Sequence, residues 1–458
     1  MNKSFKKSIK HTGKIIDSWI PFKIQYSQIP GFSIGIIHNG KLVYQGGFGY
    51  ADIESKTPIN PKTCFRISSI SKTFTSVAIM QLVEQGKINL DDKLEKHLPW
   101  FKARKKGIDS KNITIRQILS HSGGVFMDSD TPHWEDDRFP DVEGLKKSIS
   151  NNTIVFKSLT RFKYSNFGFA LLGEIINKAS SLDYKDYVTK HTIEKLGMEH
   201  TAPDFEEKYK NWLAKGYSRM IPGSEREAFL HSKTNAYAPA AGFLSNVSDL
   251  AKYLAALSFK KKEANNLLSS NSKKEIIKKY WDTGDEKKSY GLGFEIYEIG
   301  KRKIMGHGGG FAGFTTQISL DAENDIGVIT LSNSNDNPCS SINIGIFETI
   351  YEFIDKQNQY DKGKKIINQE KFEGIYRSRW GDKIIVGIDN NLIAFDPKTN
   401  SPIKHGALLR PTGNNKFLIE AKSNFSYQGE FATFVFEKKH KKASKLVFGA
   451  TPSERLKE

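Results

Sequence analysis

The tetrad Ser69-Ile70-Ser71-Lys72 constrains the fold of this chain more than any other stretch. Behind it Phe74, Val77, Ala78 and Leu82 recur at helical spacing, and Gly86 stands where a helix stops. The spacing predicts a helix with the tetrad at its head. On one helix face residues i and i+3 are neighbours, so the Lys72 amine reaches the Ser69 hydroxyl. A serine alkoxide is hard to form at neutral pH, and an adjacent base removes that difficulty. A helix N-terminus adds the positive end of a dipole where negative charge develops. Lys72 serves as the base only if burial or another cation lowers its pKa. Four-residue patterns recur by chance, so the argument needs more motifs.

The rest of the chain supplies the frame. Residues 5–26 read as an amphipathic helix. Phe32, Ile34 and Ile36 alternate, Asn39-Gly40 makes a hairpin turn and Leu42-Val43-Tyr44 returns, which predicts the start of an antiparallel sheet. Gly31-Phe32-Ser33-Ile34-Gly35 matches G-x-S-x-G, but a nucleophile elbow joins a strand to a helix, so Ser33 is read as structural. Residues 88–99 read as a connector, and 113–120 as a short helix leading to His121-Ser122-Gly123-Gly124, where His121 braces a loop. Residues 126–160 are polar loops and short helices. Phe169, Leu172, Ile175 and Ile176 predict a helix after Tyr164-Ser165-Asn166, and the segment 238–257 begins with Pro239-Ala240-Ala241-Gly242 and continues into a helix capped by Ser248. Strands are expected at 293–297, 303–306, 314–320 and 326–331, with a closing helix after Pro338. The fold class is α+β, helices around an antiparallel sheet. The expected boundaries are a first domain at 1–355, a polar, lysine-rich linker at 356–371 and a small all-β barrel or sandwich at 372–458.

Composition excludes several classes. The 458 residues carry 69 Lys and Arg against 51 Asp and Glu, a formal charge of +18. The basic runs Lys260-Lys261-Lys262 and Lys438-Lys439-His440-Lys441-Lys442 are short, far apart and free of interleaved aromatics, so no nucleic-acid partner is expected. Cys64 and Cys339 make neither a disulfide framework nor a zinc site. The basic N-terminus (Lys3, Lys6, Lys7, Lys10) is followed by no apolar run of signal-peptide length, since Asp17 and Ser18 separate Ile15-Ile16 from Trp19-Ile20. No transmembrane helix is expected. The compartment expected from the sequence as given is cytoplasmic, and periplasmic or extracellular if the natural start lies upstream.

Three short motifs stand in order: Ser69-x-x-Lys72, Tyr164-x-Asn166 and His307-x-Gly309 within Met305-Gly306-His307-Gly308-Gly309-Gly310-Phe311. With Gly49-Tyr50-Ala51-Asp52, Leu119-Ser120-His121-Ser122-Gly123-Gly124 and Tyr290-Gly291-Leu292-Gly293-Phe294, the chain resembles the serine β-lactamase and penicillin-binding-protein superfamily, in its class C-like branch. The resemblance covers roughly residues 10–355 and implies an antiparallel sheet with an all-helical subdomain. The trailing β region is similar to the lipocalin-like modules that often follow this hydrolase domain. What the resemblance implies for the site is definite. Ser69 is the acyl-accepting nucleophile, and Lys72 and Tyr164 share its proton, Tyr164 as phenolate or as a relay. Asn166 hydrogen-bonds the substrate amide, His307 and Gly309 line the substrate along an edge strand, and the oxyanion hole falls on the backbone N–H groups of Ser69 and Gly310. No metal or organic cofactor is implied.

Competing readings of the same residues are weaker. Tyr164 can be a core aromatic with Asn166 as a helix cap. Gly308-Gly309-Gly310-Phe311-Ala312-Gly313 matches G-x-G-x-x-G, yet that fingerprint opens a helix and strand-like residues follow here. His307 lacks the companions of a zinc ligand. The family's β-lactamases and transpeptidases usually carry Lys-Thr-Gly where this chain has His307-Gly308-Gly309. A neutral imidazole offers hydrogen bonds but no fixed charge for a substrate carboxylate. The expected function is therefore a serine hydrolase acting on an ester or amide of a small molecule or peptide. A DD-peptidase, a D-aminopeptidase and a weak β-lactamase are the enzymatic alternatives, and a non-catalytic binding or filament-forming protein the alternative of another class. Oligomeric state is not legible.

Overall fold

The chain enters with helix α1 (Lys3–Tyr26) and then makes the hairpin that Asn39-Gly40 predicts. Strands β1 (Gly31–His38) and β2 (Lys41–Asp52) flank that turn, with φ of 50° at Asn39 and 70° at Gly40. This computed structural model describes residues 3–105, 108–129, 131–149, 153–260, 266–285, 287–362, 366, 368–421, 427–438 and 440–456. Lys261, Lys262, Lys439 and residues 363–365 and 367 of the expected linker lie outside the described residues. The chain divides into two compact units, Pro30–Ser340 and the pair Met1–Ile29 with Ser341–Glu458.

The first unit is built on a nine-stranded sheet. Its other strands are β3 (Thr57–Pro58), β4 (Trp281–Asp282), β5 (Lys288–Tyr290), β6 (Glu295–Ile299), β7 (Arg302–Phe311), β8 (Phe314–Asp321) and β9 (Ile326–Ser332). They lie in the order β4-β5-β6-β7-β8-β9-β1-β2-β3, all antiparallel. β1 pairs with β2 and β9 and is packed by a helix on its face, so its residues are buried along almost its whole length and Ser33 sits among them, opposite Gly47 and Leu331. Ser33 has no part in a nucleophile elbow.

Helix α2 (Ser71–Glu84) is buried on every side from Ser71 to Leu82. A helix in that position must satisfy its polar side chains within the protein. Thr73 Oγ1 accepts from Tyr253 Oη at 3.0 Å, Thr75 Oγ1 donates to the Pro239 carbonyl at 2.7 Å, and the Phe74 ring stacks on Tyr253. Helix α3 (Asn166–Ser180) packs against α2, and α4 (Val247–Leu257) lies on β1 and β9. A helix follows Pro239-Ala240-Ala241-Gly242 as expected. Leu244 and Ser245 pair with Arg66 and Phe65, which draws the backbone out of helical geometry, so α4 begins at Val247. Its cap is Asn246, whose Oδ1 accepts from Asp249 N at 2.9 Å, rather than Ser248.

In the second unit eight strands close into a barrel: β10 (Gly374–Ser378), β11 (Gly381–Ile388), β12 (Asn391–Phe395), β13 (Ala407–Pro411), β14 (Lys416–Ala421), β15 (Phe431–Val435), β16 (Lys445–Phe448) and β17 (Thr451–Arg455). Closure through Tyr376↔Arg455 removes the exposed strand edges. Phe372, Tyr376, Phe417, Phe434 and Phe448 belong to its buried core. Helices α1 and α5 (Cys339–Asp355) group mainly with this barrel, whereas a boundary at 355 places them with the sheet. The physical reason is visible on α1. Trp19 Nε1 donates to the Pro397 and Thr399 carbonyls at 3.2 and 3.1 Å, and His11 Nε2 lies 3.1 Å from Asp389. Residues 357–361 of the expected linker form a short helix.

Candidate active site

The nucleophile turn forms because the chain leaves the Phe65–Arg66 bridge and must enter α2 at once. Ser68 takes a left-handed φ of 48°, and Ser68–Ile70 make one turn of 3₁₀ helix before α2 begins. Ser68 Oγ donates to the Gly310 carbonyl at 2.6 Å, which ties the turn to β7. Phe243 N donates to Ser71 Oγ at 3.0 Å and Ile67 N to the Phe243 carbonyl at 2.9 Å. In this clamped turn Ser69 stays partly exposed while Ser68, Ile70, Ser71 and Lys72 are buried.

Lys72 Nζ is 3.1 Å from Ser69 Oγ, 2.7 Å from Asn166 Oδ1 and 2.8 Å from the Ala240 carbonyl. Burial pushes the amine well below the usual lysine range, against the attraction of Asp128. Nζ donates to the two carbonyl oxygens and to Ser69 Oγ, and once the amine is neutral its lone pair can take the hydroxyl proton across the same contact.

The Tyr164 ring lies under the same amine, 4.7 Å from Nζ to its centroid, and its hydroxyl interacts with Ser69. Burial pushes the phenol above its ordinary range, more than the contact with Ser69 lowers it. Tyr164 is thus held as a neutral phenol beside Lys72, which disfavours its phenolate form. The His121 ring packs against Tyr164 with centroids 4.3 Å apart. His121 Nδ1 accepts from Ser165 N at 3.2 Å, so the loop-bracing role expected of it matches its geometry. Burial, then Lys72 and His307, hold that imidazole neutral.

Asn166 is the first residue of α3, and the cap is Ser165, whose Oγ accepts from Gly168 N at 2.8 Å. The Asn166 side chain is therefore free to turn into the site, where Oδ1 accepts from Lys72 and Nδ2 donates to both oxygens of Asp128 at 3.1 and 3.2 Å. Asp128 carries no motif spacing and went unseen in the sequence, as did the Ala240 carbonyl.

β7 supplies the opposite wall. β6 pairs with it only as far as Gly306, so 307–311 have a strand partner on the β8 side alone among the described residues. Gly308 and Gly309 are half-buried there and Gly310 is exposed. A Cβ on Gly309 would sit 2.2 Å from the Ile67 carbonyl oxygen and 2.4 Å from Thr316 Oγ1, whereas one on Gly310 would meet nothing within 4 Å. Gly309 lets the strand approach the nucleophile turn. The His307 imidazole is 2 % exposed, with Nδ1 2.6 Å from the Gly308 carbonyl and Nε2 2.8 Å from Tyr290 Oη. A carbonyl can only accept, so the proton is on Nδ1 and Tyr290 donates to Nε2. Burial, the largest influence, lowers its pKa and keeps it neutral.

The structure thus gathers Ser69, Lys72, Tyr164 and Asn166 into one bonded cluster and sets His307, Gly309 and Gly310 on the facing strand. A separate cavity of about 830 Å³, lined in part by Phe205, Trp212, Phe229 and His231, contains none of these residues. Among the described residues no group of three or more His, Cys, Asp or Glu side chains is placed to hold a metal, and no helix is long and apolar enough to cross a membrane.

Protein flp of Staphylococcus aureus (strain MW2) is 34% identical over 186 residues, which cover 41% of this chain and 37% of flp. Teichoic acid D-alanine hydrolase of Staphylococcus aureus is 31% identical over 192 residues, covering 42% of this chain and 45% of that protein. The matched stretch spans under half the length of either relative. The octameric penicillin-binding protein homologue from Pyrococcus abyssi superposes with a TM-score of 0.65 at 27% identity, covering 96% of this chain and 98% of that one. A structure titled SurE has a TM-score of 0.60 over 98% and 99% of the two chains, and its 19% identity marks a likeness of fold alone. Residues 17–343, more than half of the chain, match the family model described as Beta-lactamase. With the tetrad, the tyrosine and the facing strand in one site, the chain belongs to the Beta-lactamase family of serine hydrolases.

Proposed function

We propose that this protein hydrolyses an ester or amide through an acyl-enzyme on Ser69. The observation that carries the reading is the buried Lys72 amine, 3.1 Å from Ser69 Oγ and held by two carbonyl oxygens. Lys72 takes the Ser69 proton as the oxygen attacks the acyl carbon; Tyr164 gives its own proton to the leaving group and regains one from Lys72, which leaves the amine neutral again. The backbone N–H groups of Ser69 and Gly310 receive the oxyanion, where each such donor is worth ~3 kcal/mol. Water then attacks the acyl-enzyme, with the same base accepting its proton. The deciding experiment is turnover of a p-nitrophenyl ester series, acetate to octanoate, by the wild type and by Ser69→Ala. Loss of turnover in Ser69→Ala supports the reading. Equal rates in both, on these esters and on D-alanyl peptides, overturn it.

Esters are the preferred substrates within this class. His307 is buried and neutral where a lysine would anchor a substrate carboxylate, which disfavours carboxypeptidase and β-lactam chemistry. The named activity of the teichoic acid D-alanine hydrolase makes D-alanyl esters the first natural class to try. Release of D-alanine from such an ester, absent in Ser69→Ala, would support this narrower reading.

A further inference from the structure

Asp128 lies outside every motif, yet it reaches the catalytic lysine through one side chain. Its two carboxylate oxygens accept from Asn166 Nδ2 at 3.1 and 3.2 Å, and Asn166 Oδ1 in turn accepts from Lys72 Nζ at 2.7 Å. The loop that carries Asp128 is fixed to the start of α3. The Met127 carbonyl accepts from Asn166 N at 2.8 Å and from Phe167 N at 3.1 Å, and Ser129 N donates to Tyr237 Oη at 3.1 Å. His133 Nε2 stands 3.6 Å from Asp128 Oδ1 on the other side.

An amide side chain can present either its oxygen or its nitrogen to a neighbour. A carboxylate accepts only, so Asp128 forces the nitrogen of Asn166 toward itself and the oxygen toward Lys72. We propose that Asp128 is a positioning residue that sets the orientation of the Asn166 amide and so holds the Lys72 amine on Ser69. The inference rests on the acyl-enzyme reading above and adds a group to it. Asp128 also acts through charge. The groups facing Lys72 are Ser69 from its own turn, Asn166 and Phe169 from α3, Tyr164, the Ala240 carbonyl, and His121 and His307 farther out. Those facing Asp128 are Asn166, His133, Trp134, Lys72 and Tyr237. Asp128 is thus the anion that favours the Lys72 ammonium, and His121 and His307 are held neutral.

The test is the rate at which a fluorophosphonate labels the full chain, followed against pH in wild type, Ser69→Ala, Asp128→Asn and Asp128→Glu. Asp128→Asn allows the Asn166 amide to flip and is expected to slow labelling between about 10- and 100-fold. Its acid limb moves to lower pH, because the anion that favours the ammonium is gone. Asp128→Glu keeps the charge, so its limb stays near that of the wild type while its rate falls. An Asp128→Asn protein with the wild-type rate and limb overturns the proposal. So does a slowed rate whose limb does not move in Asp128→Asn, since that marks a merely structural residue. Should Asp128→Asn fail to fold, Asp128→Glu decides: rate lost with the limb kept supports the proposal, and no change in either overturns it. Equal labelling of wild type and Ser69→Ala is a different outcome, in which the acyl-enzyme reading itself falls and this proposal with it.

Discussion

Each unit of this protein buries a lysine among carbonyl oxygens, and the two lysines are in different states. In the barrel unit Lys23 Nζ donates to the Lys398 carbonyl at 2.7 Å, the Thr399 carbonyl at 3.3 Å and Asn400 Oδ1. In the sheet unit Lys72 Nζ has the Asn166 and Ala240 oxygens and, in third place, the Ser69 hydroxyl. Burial lowers Lys23 to about 8 and Lys72 well below the usual range. Three carbonyl acceptors suit an ammonium with three N–H bonds, whereas two carbonyls and a hydroxyl suit a neutral amine that receives a proton. Burial makes a lysine able to lose its charge, and the third neighbour decides whether that loss does chemistry.

The largest effect that can break the comparison is removal of each amine. Lys72→Ala is expected to lower Ser69-dependent ester hydrolysis about 10³-fold, within the usual range for a positioned base, and Lys23→Ala to leave it unchanged. Comparable rates in the two variants, measured as kcat/KM on one ester, would dissolve the distinction.

A second pair of changes sharpens how the serine corner is assembled. Gly309→Ala puts a Cβ against the Ile67 carbonyl 2.2 Å away and pushes β7 off the nucleophile turn, with an expected loss of about 10²-fold. Gly310→Ala has open space at the Cβ and is expected to keep activity within about threefold of the wild type. Gly309→Ala activity within about threefold of the wild type would show that β7 tolerates displacement.

The smallest effects are read in pH dependence. On the acyl-enzyme reading the neutral form of Lys72 is the active one, so kcat/KM is expected to fall as pH drops through its depressed pKa and to be flat just above it. For Lys23 the sign concerns stability. Its folded value of about 8 lies below the ordinary lysine value of ~10.4, so between these the unfolded chain binds more protons. Stability therefore rises with pH across that window, by on the order of 1 kcal/mol after allowance for residual water contact. Denaturant titrations of wild type and Lys23→Met from pH 7.5 to 10.5 check it, and a difference that stays constant would refute the assignment.

Much of the architecture was legible because it rests on periodicity and turn chemistry. Phe74, Val77, Ala78 and Leu82 announced α2, Asn39-Gly40 announced the first hairpin, and the alternation beyond residue 372 announced the all-β region that closes as a barrel. The cap of α4 was misplaced on Ser248, because Asn246 acts only once Leu244 and Ser245 have paired with a distant segment. The association of α1 and α5 with the barrel was likewise illegible, since a helix face shows that it needs a partner and not which one.

The sequence by itself determined which residue types could do the chemistry. Ser69 and Lys72 are three apart, Ser69 in the 3₁₀ turn and Lys72 in the first turn of α2, and that local proximity follows from the chain alone. Tertiary structure alone decided the state of those groups. The Ala240 carbonyl and the Asp128 carboxylate come from segments far from Lys72 in the chain, and a backbone oxygen has no residue type to betray it. The depressed lysine, the neutral His307 and the raised Tyr164 phenol all follow from burial, which no spacing of letters encodes.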